Sequence, residues 1–208
     1  MSHFPVAIFM LDDKQSVNDL LAPYDEDIQV APHMITQKNH LGKDVNILTT
    51  YNPNSKWDWY QIGGRWQGLL ILKNEKKGLR GIPGLTTEMT EGYDGAFVSD
   101  VDFEAMKRRD TAKLPPYKKV LENSLMKEAY IRERFPTEKD YIERQTTFST
   151  FAVITPDGKW LTQGKMGWWG LSSDTAEEER AWQLGYHDRF IKPAIENNWY
   201  MVIVDCHI

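Results

Sequence analysis

The dipeptide Asp157-Gly158, inside Pro156-Asp157-Gly158-Lys159, constrains the fold of this chain more than any other feature. It lies between two extended runs, Thr147 to Thr155 and one beginning Trp160-Leu161-Thr162, and Asp-Gly in that setting reads as a tight β-hairpin. The residues after it are equally directive. Asp174 or Thr175, each with a Glu three residues on, caps a helix whose buried stripe is Trp182, Tyr186, Phe190 and Ala194. Glu177, Glu178 and Glu179 near its start and Arg189 and Lys192 near its end suit the helix dipole. Trp199 to Val204 is a strongly β-forming run. The tail therefore reads strand, hairpin, strand, helix, strand.

The head is less regular. Phe4 to Leu11 is a nearly continuous apolar run whose Val, Ile and Phe favour a buried strand, with Pro5 tolerable near its start. Ser16 caps a short helix through Ala22, stopped by Pro23. Tyr24 to Asn46 reads as loop with one short strand. Asn46 to Tyr51 reads as extended, and Asn52-Pro53-Asn54-Ser55 as a turn. Gly68 to Leu72 reads as a strand, Gly81 to Gly95 as an irregular loop, and Asp102 as the cap of a helix beginning near Phe103. Residues 103–146 read as helical, broken at Pro115-Pro116 and Pro136, with Thr137 and Asp140 capping the last piece. Short elements of both kinds without regular βαβ alternation predict an α+β fold. The expected form is a single domain, 1–208, with one antiparallel sheet and a ferredoxin-like core. The segment 103–146 would then be a helical insertion or lid.

Composition narrows the function classes. At 208 residues with 41% hydrophobic and 26% charged residues, the chain has the make-up of an ordinary globular protein. No apolar run is long enough for a membrane span, and Met1-Ser2-His3-Phe4 is not the start of a signal peptide. A single cysteine, Cys206, allows no internal disulfide and fits a cytoplasmic location. The net charge of −5 argues against general nucleic-acid binding. Between Lys107 and Arg144 there are eleven Lys or Arg against seven Asp or Glu, a local +4 that leaves −9 for the rest. A solvated helical face accounts for such a run as well as an anion-binding face does.

Six of the eight tryptophans fall in two segments, 57–66 and 160–169. The first, Trp57-Asp58-Trp59-Tyr60-Gln61-Ile62-Gly63-Gly64-Arg65-Trp66, combines aromatic walls, two glycines that admit a close approach and a planar cation suited to phosphate. If extended, it places Trp57, Trp59 and Gln61 on one face, with Asp58, Tyr60 and Ile62 on the other. The second, Lys165-Met166-Gly167-Trp168-Trp169-Gly170, offers Lys165 and Gly167 beside a stacking platform of Trp168 and Trp169. Together they predict a pocket for a small anionic, nucleotide-like ligand. The competing reading is an aromatic core with Arg65 paired to Asp58. At the C-terminus, Asp205 and His207 share a strand face as a candidate acid–base pair or metal ligands, with Asp100, Asp102, His33 or His40 as further members, while Cys206 points the other way as a small buried hydrophobe. Zinc-type spacing is absent, so the acid–base reading is preferred to the metal one, and no cofactor is expected. Homo-oligomerisation is left open. The P-loop, Gly-x-Gly-x-x-Gly, Gly-x-Ser-x-Gly and His-Glu-x-x-His motifs, and the tandem His-x-Thr/Ser motifs of two-histidine phosphoesterases, are also absent.

The combination Trp57-Asp58-Trp59-Tyr60-x-Ile62-Gly63-Gly64-Arg65-Trp66, Lys165 to Gly170 and terminal Asp205-Cys206-His207-Ile208 resembles a group of proteins from tailed bacteriophages and bacteria with no activity attached to it. The resemblance implies a phage setting in the host cytoplasm. By analogy, small phage proteins with ligand pockets often counter nucleotide-signalling defences. Three uses of the site are then open: trapping a nucleotide-like ligand, hydrolysing its phosphodiester with Asp205 and His207, or binding a host protein through the tryptophans.

Overall fold

The computed structural model describes residues 2–85, 88–123, 128–164 and 174–208. Its centre is the antiparallel pair of β1 (His3–Met10) and β9 (Tyr200–His207), matched along their whole length from His3 opposite His207 to Met10 opposite Tyr200. Both strands are almost continuously apolar because both faces of the sheet are covered there. On one face, Ala7, Phe9, Met201 and Ile203 meet Trp182, Tyr186, Phe190 and Ala194. On the other, Phe4, Val6, Ile8, Val202 and Val204 meet Leu20, Leu21 and Trp57. Each large apolar side chain so buried contributes about 1.5–3 kcal/mol.

The sheet extends from this pair in both directions. β7 (Ala152–Ile154) lies parallel to β1, and β8 (Trp160–Thr162) returns antiparallel to β7 through the predicted turn, with Gly158 at φ +80°. On the other side β9 is joined by β4 (Trp59–Gly64) and β6 (Gly95–Phe97), and β5 (Ile82–Pro83) runs parallel to β4. The class is α+β, but the sheet is mixed rather than antiparallel. The departure from a ferredoxin-like core has a definite cause. With the strands between residues 33 and 97 set aside as additions, the order β1, helices, β7, β8, helix, β9 is that of a βαββαβ unit, yet β8 pairs outside β7 instead of slotting between β7 and β1. β1 and β7 therefore touch as parallel neighbours. A separate two-stranded hairpin, β2 (His33–Lys38) with β3 (Asp44–Thr49), stands apart from the main sheet.

Local chemistry sets the helices. Ser16 caps α1 (Val17–Leu21), and Asp102 accepts from Ala105 N at 2.8 Å to start α2 (Phe103–Lys113). Between 103 and 146 the chain forms α2, α3 (Tyr117–Asn123), α4 (Glu128–Arg134) and α5 (Glu138–Thr146). The prolines at 115, 116 and 136 fall in the breaks. Tyr117, Ile131, Phe135 and Tyr141 give this segment a small core of its own. Buried Arg144 ties it to α6 (Ala176–Tyr186) through Gln183 and Glu179. Thr175 and Glu178 form a reciprocal capping box at the start of α6.

Beyond α6 the helix passes through one π turn, His187–Ile191, before α7 (Lys192–Glu196). A stripe spaced strictly by four drifts around a helix of 3.6 residues per turn, and the wider π turn takes up that drift. Trp182, Tyr186, Phe190 and Ala194 all stay buried as a result.

Two expected strands are shorter or missing. Gly68 to Leu72 makes only isolated bridges, Leu70 with Tyr93 and Leu72 with Val101, because its partners are loop segments. The run 147–155 is extended in the sheet only at 152–154. No helix among the described residues is long and apolar enough to cross a membrane.

Candidate functional site

The first aromatic segment divides between core and surface. Trp57 precedes β4, is buried, and donates its indole N–H to the Leu21 carbonyl at 3.1 Å. It packs edge-on against Tyr60 on the α1 side of the sheet. Strict alternation from 57 to 62, which puts Trp57 with Trp59, does not hold, because the strand begins only at Trp59. Trp59 is 46% exposed on the opposite face, whereas Trp66 packs against the α6 side of the core. Arg65 is exposed, and its guanidinium has no partner among the described residues. The Arg65–Asp58 pair of the competing reading does not form.

The two glycines admit buried carboxylates rather than leaving room beside them. A Cβ on Gly63, at φ +81°, would meet the Asp94 carboxyl at 3.1 Å. One on Gly64, at φ +55°, would lie 2.3 Å from Asp205 Cβ and 2.4 Å from its Oδ2. Asp94 accepts from the backbone N–H groups of Gly68 and Gly81, each at 2.7 Å, and so ties together the loops on either side. Burial pushes the Asp94 carboxyl up against the lowering effect of these bonds.

Asp205 and His207 share a face, as expected for a strand, but they do not pair with each other. Asp205 Oδ1 accepts from Nδ1 of His3 at 2.8 Å, and its Oδ2 accepts from Arg65 N at 2.9 Å. His207 Nδ1 instead donates to Asp58 Oδ1 at 2.6 Å. The β1–β9 register sets His3 directly opposite His207, so the rings meet edge-on with centroids 4.9 Å apart. Trp59, opposite His207 on β4, stands 6.1 Å from His3. The result is two adjoining imidazoles, each fixed at Nδ1 by its own carboxylate, under an exposed indole. A carboxylate on Nδ1 fixes the proton there, which leaves Nε2 of each neutral ring as an acceptor.

The two halves differ in setting. Asp205 is 1% exposed with both oxygens engaged, whereas the Asp58 side chain is 32% exposed. On the Asp58 side lies the loop Asp25-Glu26-Asp27, anchored by Glu26 N donating to the Trp57 carbonyl at 2.9 Å. Burial, followed by repulsion from Asp58, Asp27 and Asp25, pushes the Glu26 carboxyl up, and nearby His207 opposes this. Cys206, on the far face, is fully buried, and its thiol is pushed well up by burial and by Asp205. It is a packing residue. Among the described residues no group of three or more His, Cys, Asp or Glu is placed to hold a metal ion.

Lys165, Gly167, Trp168 and Trp169 lie outside the described residues. Their flank is visible. Gly164, Lys56 and Ile208 meet around a cavity of about 250 Å³ whose walls are Phe4, Phe151 and Trp160. The cavity lies at the same end of the sheet as the imidazoles but on the other face, since Phe4 and Ile208 adjoin His3 and His207.

Nothing in the sequence singles out His3. Period-two patterning puts it on one face with Pro5, Ala7 and Phe9, but only the β1–β9 register brings it to His207. No protein-family model matches the chain, and no curated protein or solved structure proves similar to it.

Proposed function

We propose that the chain is a phosphodiesterase-like hydrolase of a nucleotide-like substrate, with His3 and His207 as its acid–base pair. One observation carries the reading: two imidazoles in contact, each held at Nδ1 by a separate carboxylate. Two imidazoles side by side, each with Nδ1 held and Nε2 left as an acceptor, can between them take one proton and give another in one reaction. Asp58 and Asp205 orient the rings and stabilise them when protonated. Exposed Trp59 offers a face for a base, and the guanidinium of Arg65, without a partner among the described residues, a fork for phosphate. In the phage setting that the motif resemblance implies, the role is removal of a host nucleotide signal.

Incubation with a panel of linear and cyclic nucleotide phosphodiesters, followed by chromatography, tests this. Turnover by the wild type, lost in His207→Ala and kept in Lys38→Ala on the distant hairpin, is the expected result. No turnover of any diester would end the hydrolase reading. The aromatic cavity beside Lys56 favours a second reading, capture without chemistry. Calorimetry would then show nucleotide affinity weakened by Trp160→Ala and untouched by His207→Ala.

A further inference from the structure

The residues around the imidazole pair narrow the substrate. Two proton carriers are present, but among the described residues no side chain beside them is suited to attack phosphorus. Asp205 is buried with both oxygens engaged, Cys206 is buried on the opposite face, and Asp58 and Glu26 are carboxylates, which leave phosphorus more readily than the alkoxide they would displace from a diester. The attacking oxygen must therefore arrive with the substrate or as water. Charge limits the substrate as well. Asp58, Asp205 and the nearby Asp25-Glu26-Asp27 loop make the surroundings of the imidazoles acidic, so the site tolerates the single charge of a phosphodiester better than the double charge of a monoester. A hydroxyl carried by the substrate beside the phosphorus reacts with an effective concentration far above that of a captured water.

Resting on the hydrolase reading above, the geometry points to a ribonucleotide phosphodiester as substrate, cleaved by attack of its own 2′-hydroxyl. The neutral imidazole takes the 2′-hydroxyl proton at Nε2 as the 2′-oxygen bonds to phosphorus. The bond from phosphorus to the 5′-oxygen breaks, and that oxygen takes a proton from Nε2 of the other, protonated imidazole. The products are a 2′,3′-cyclic phosphate and a free 5′-hydroxyl, and no co-reactant is consumed. The two rings have exchanged protonation states, and water opening the cyclic phosphate by the reverse transfers restores them. Base stacking on Trp59 tolerates any base and selects little among sequences.

The test compares uridylyl-(3′→5′)-adenosine with its 2′-deoxy analogue, following products by chromatography and phosphorus NMR. The inference predicts cleavage of the ribo compound, a transient 2′,3′-cyclic phosphate, and at least a hundredfold slower reaction of the deoxy compound. Equal cleavage of both overturns the internal-hydroxyl inference and leaves the hydrolase reading standing. Cleavage of neither, together with none of the other diesters in the panel, overturns both. Cleavage of the ribo compound straight to a 3′-phosphate in ¹⁸O-labelled water, without the cyclic species even under single-turnover conditions, also overturns the inference.

Discussion

Gly64 shows how a single missing side chain builds the site. Its φ of +55° lies in the left-handed region, and the space where a Cβ would stand is occupied by Asp205. Gly64→Ala is therefore expected to cost about 2–4 kcal/mol, from backbone strain and displacement of a buried carboxylate. Urea unfolding followed by tryptophan fluorescence measures it, and wild-type stability would show that Asp205 is not held as described. The glycines were legible in the sequence as places of close approach. What approaches them was not, because Asp94 and Asp205 are 31 and 141 residues away from Gly63 and Gly64 in the numbering. For the same reason Asp205 and His207 suggested each other as partners, being two apart on one strand face, while the partners they take come from β1 and the approach to β4.

At the scale of elements, the predictable features are those fixed by neighbours in sequence. The Asp157-Gly158 turn, the Asp102 and Thr137 caps and the capping box at Thr175 need only a few consecutive residues. Thr175→Ala removes the side-chain acceptor for Glu178 N and is expected to lower stability by about 1 kcal/mol. A thermal melt unchanged by the substitution would contradict that role. Because α6 carries Glu179, which pairs with Arg144 and Arg134, fraying at Thr175 should loosen the 103–146 helices too. The elements that differ from expectation are those whose extent depends on partners. Gly68 to Leu72 has the composition of a strand but meets only loops, and 147–155 is extended in the sheet only where β1 and β8 flank it.

For the whole molecule, pairing of the first and last described strands is the decisive event. It puts His3 opposite His207, sets Ser2 and Ile208 in mutual backbone hydrogen bonds at 3.1 Å, and leaves β4 to bring Trp59 alongside. Nothing local specifies this register; both strands are buried on both faces, so it is set by the fit of their particular side chains into the two packed layers. The class was legible as α+β, whereas the parallel β1–β7 contact was not, because a hairpin signal fixes how β7 meets β8 and says nothing about which of them lies beside β1. The central claim is that His3 and His207 act as one unit. Its most direct measurement is the rate of ribodinucleotide cleavage by the wild type, His3→Ala, His207→Ala and the double variant. The account predicts that each single change removes about a hundredfold or more of the rate, and that the double variant is no worse than the poorer single. A single variant with the wild-type rate, or losses that multiply in the double, would contradict it.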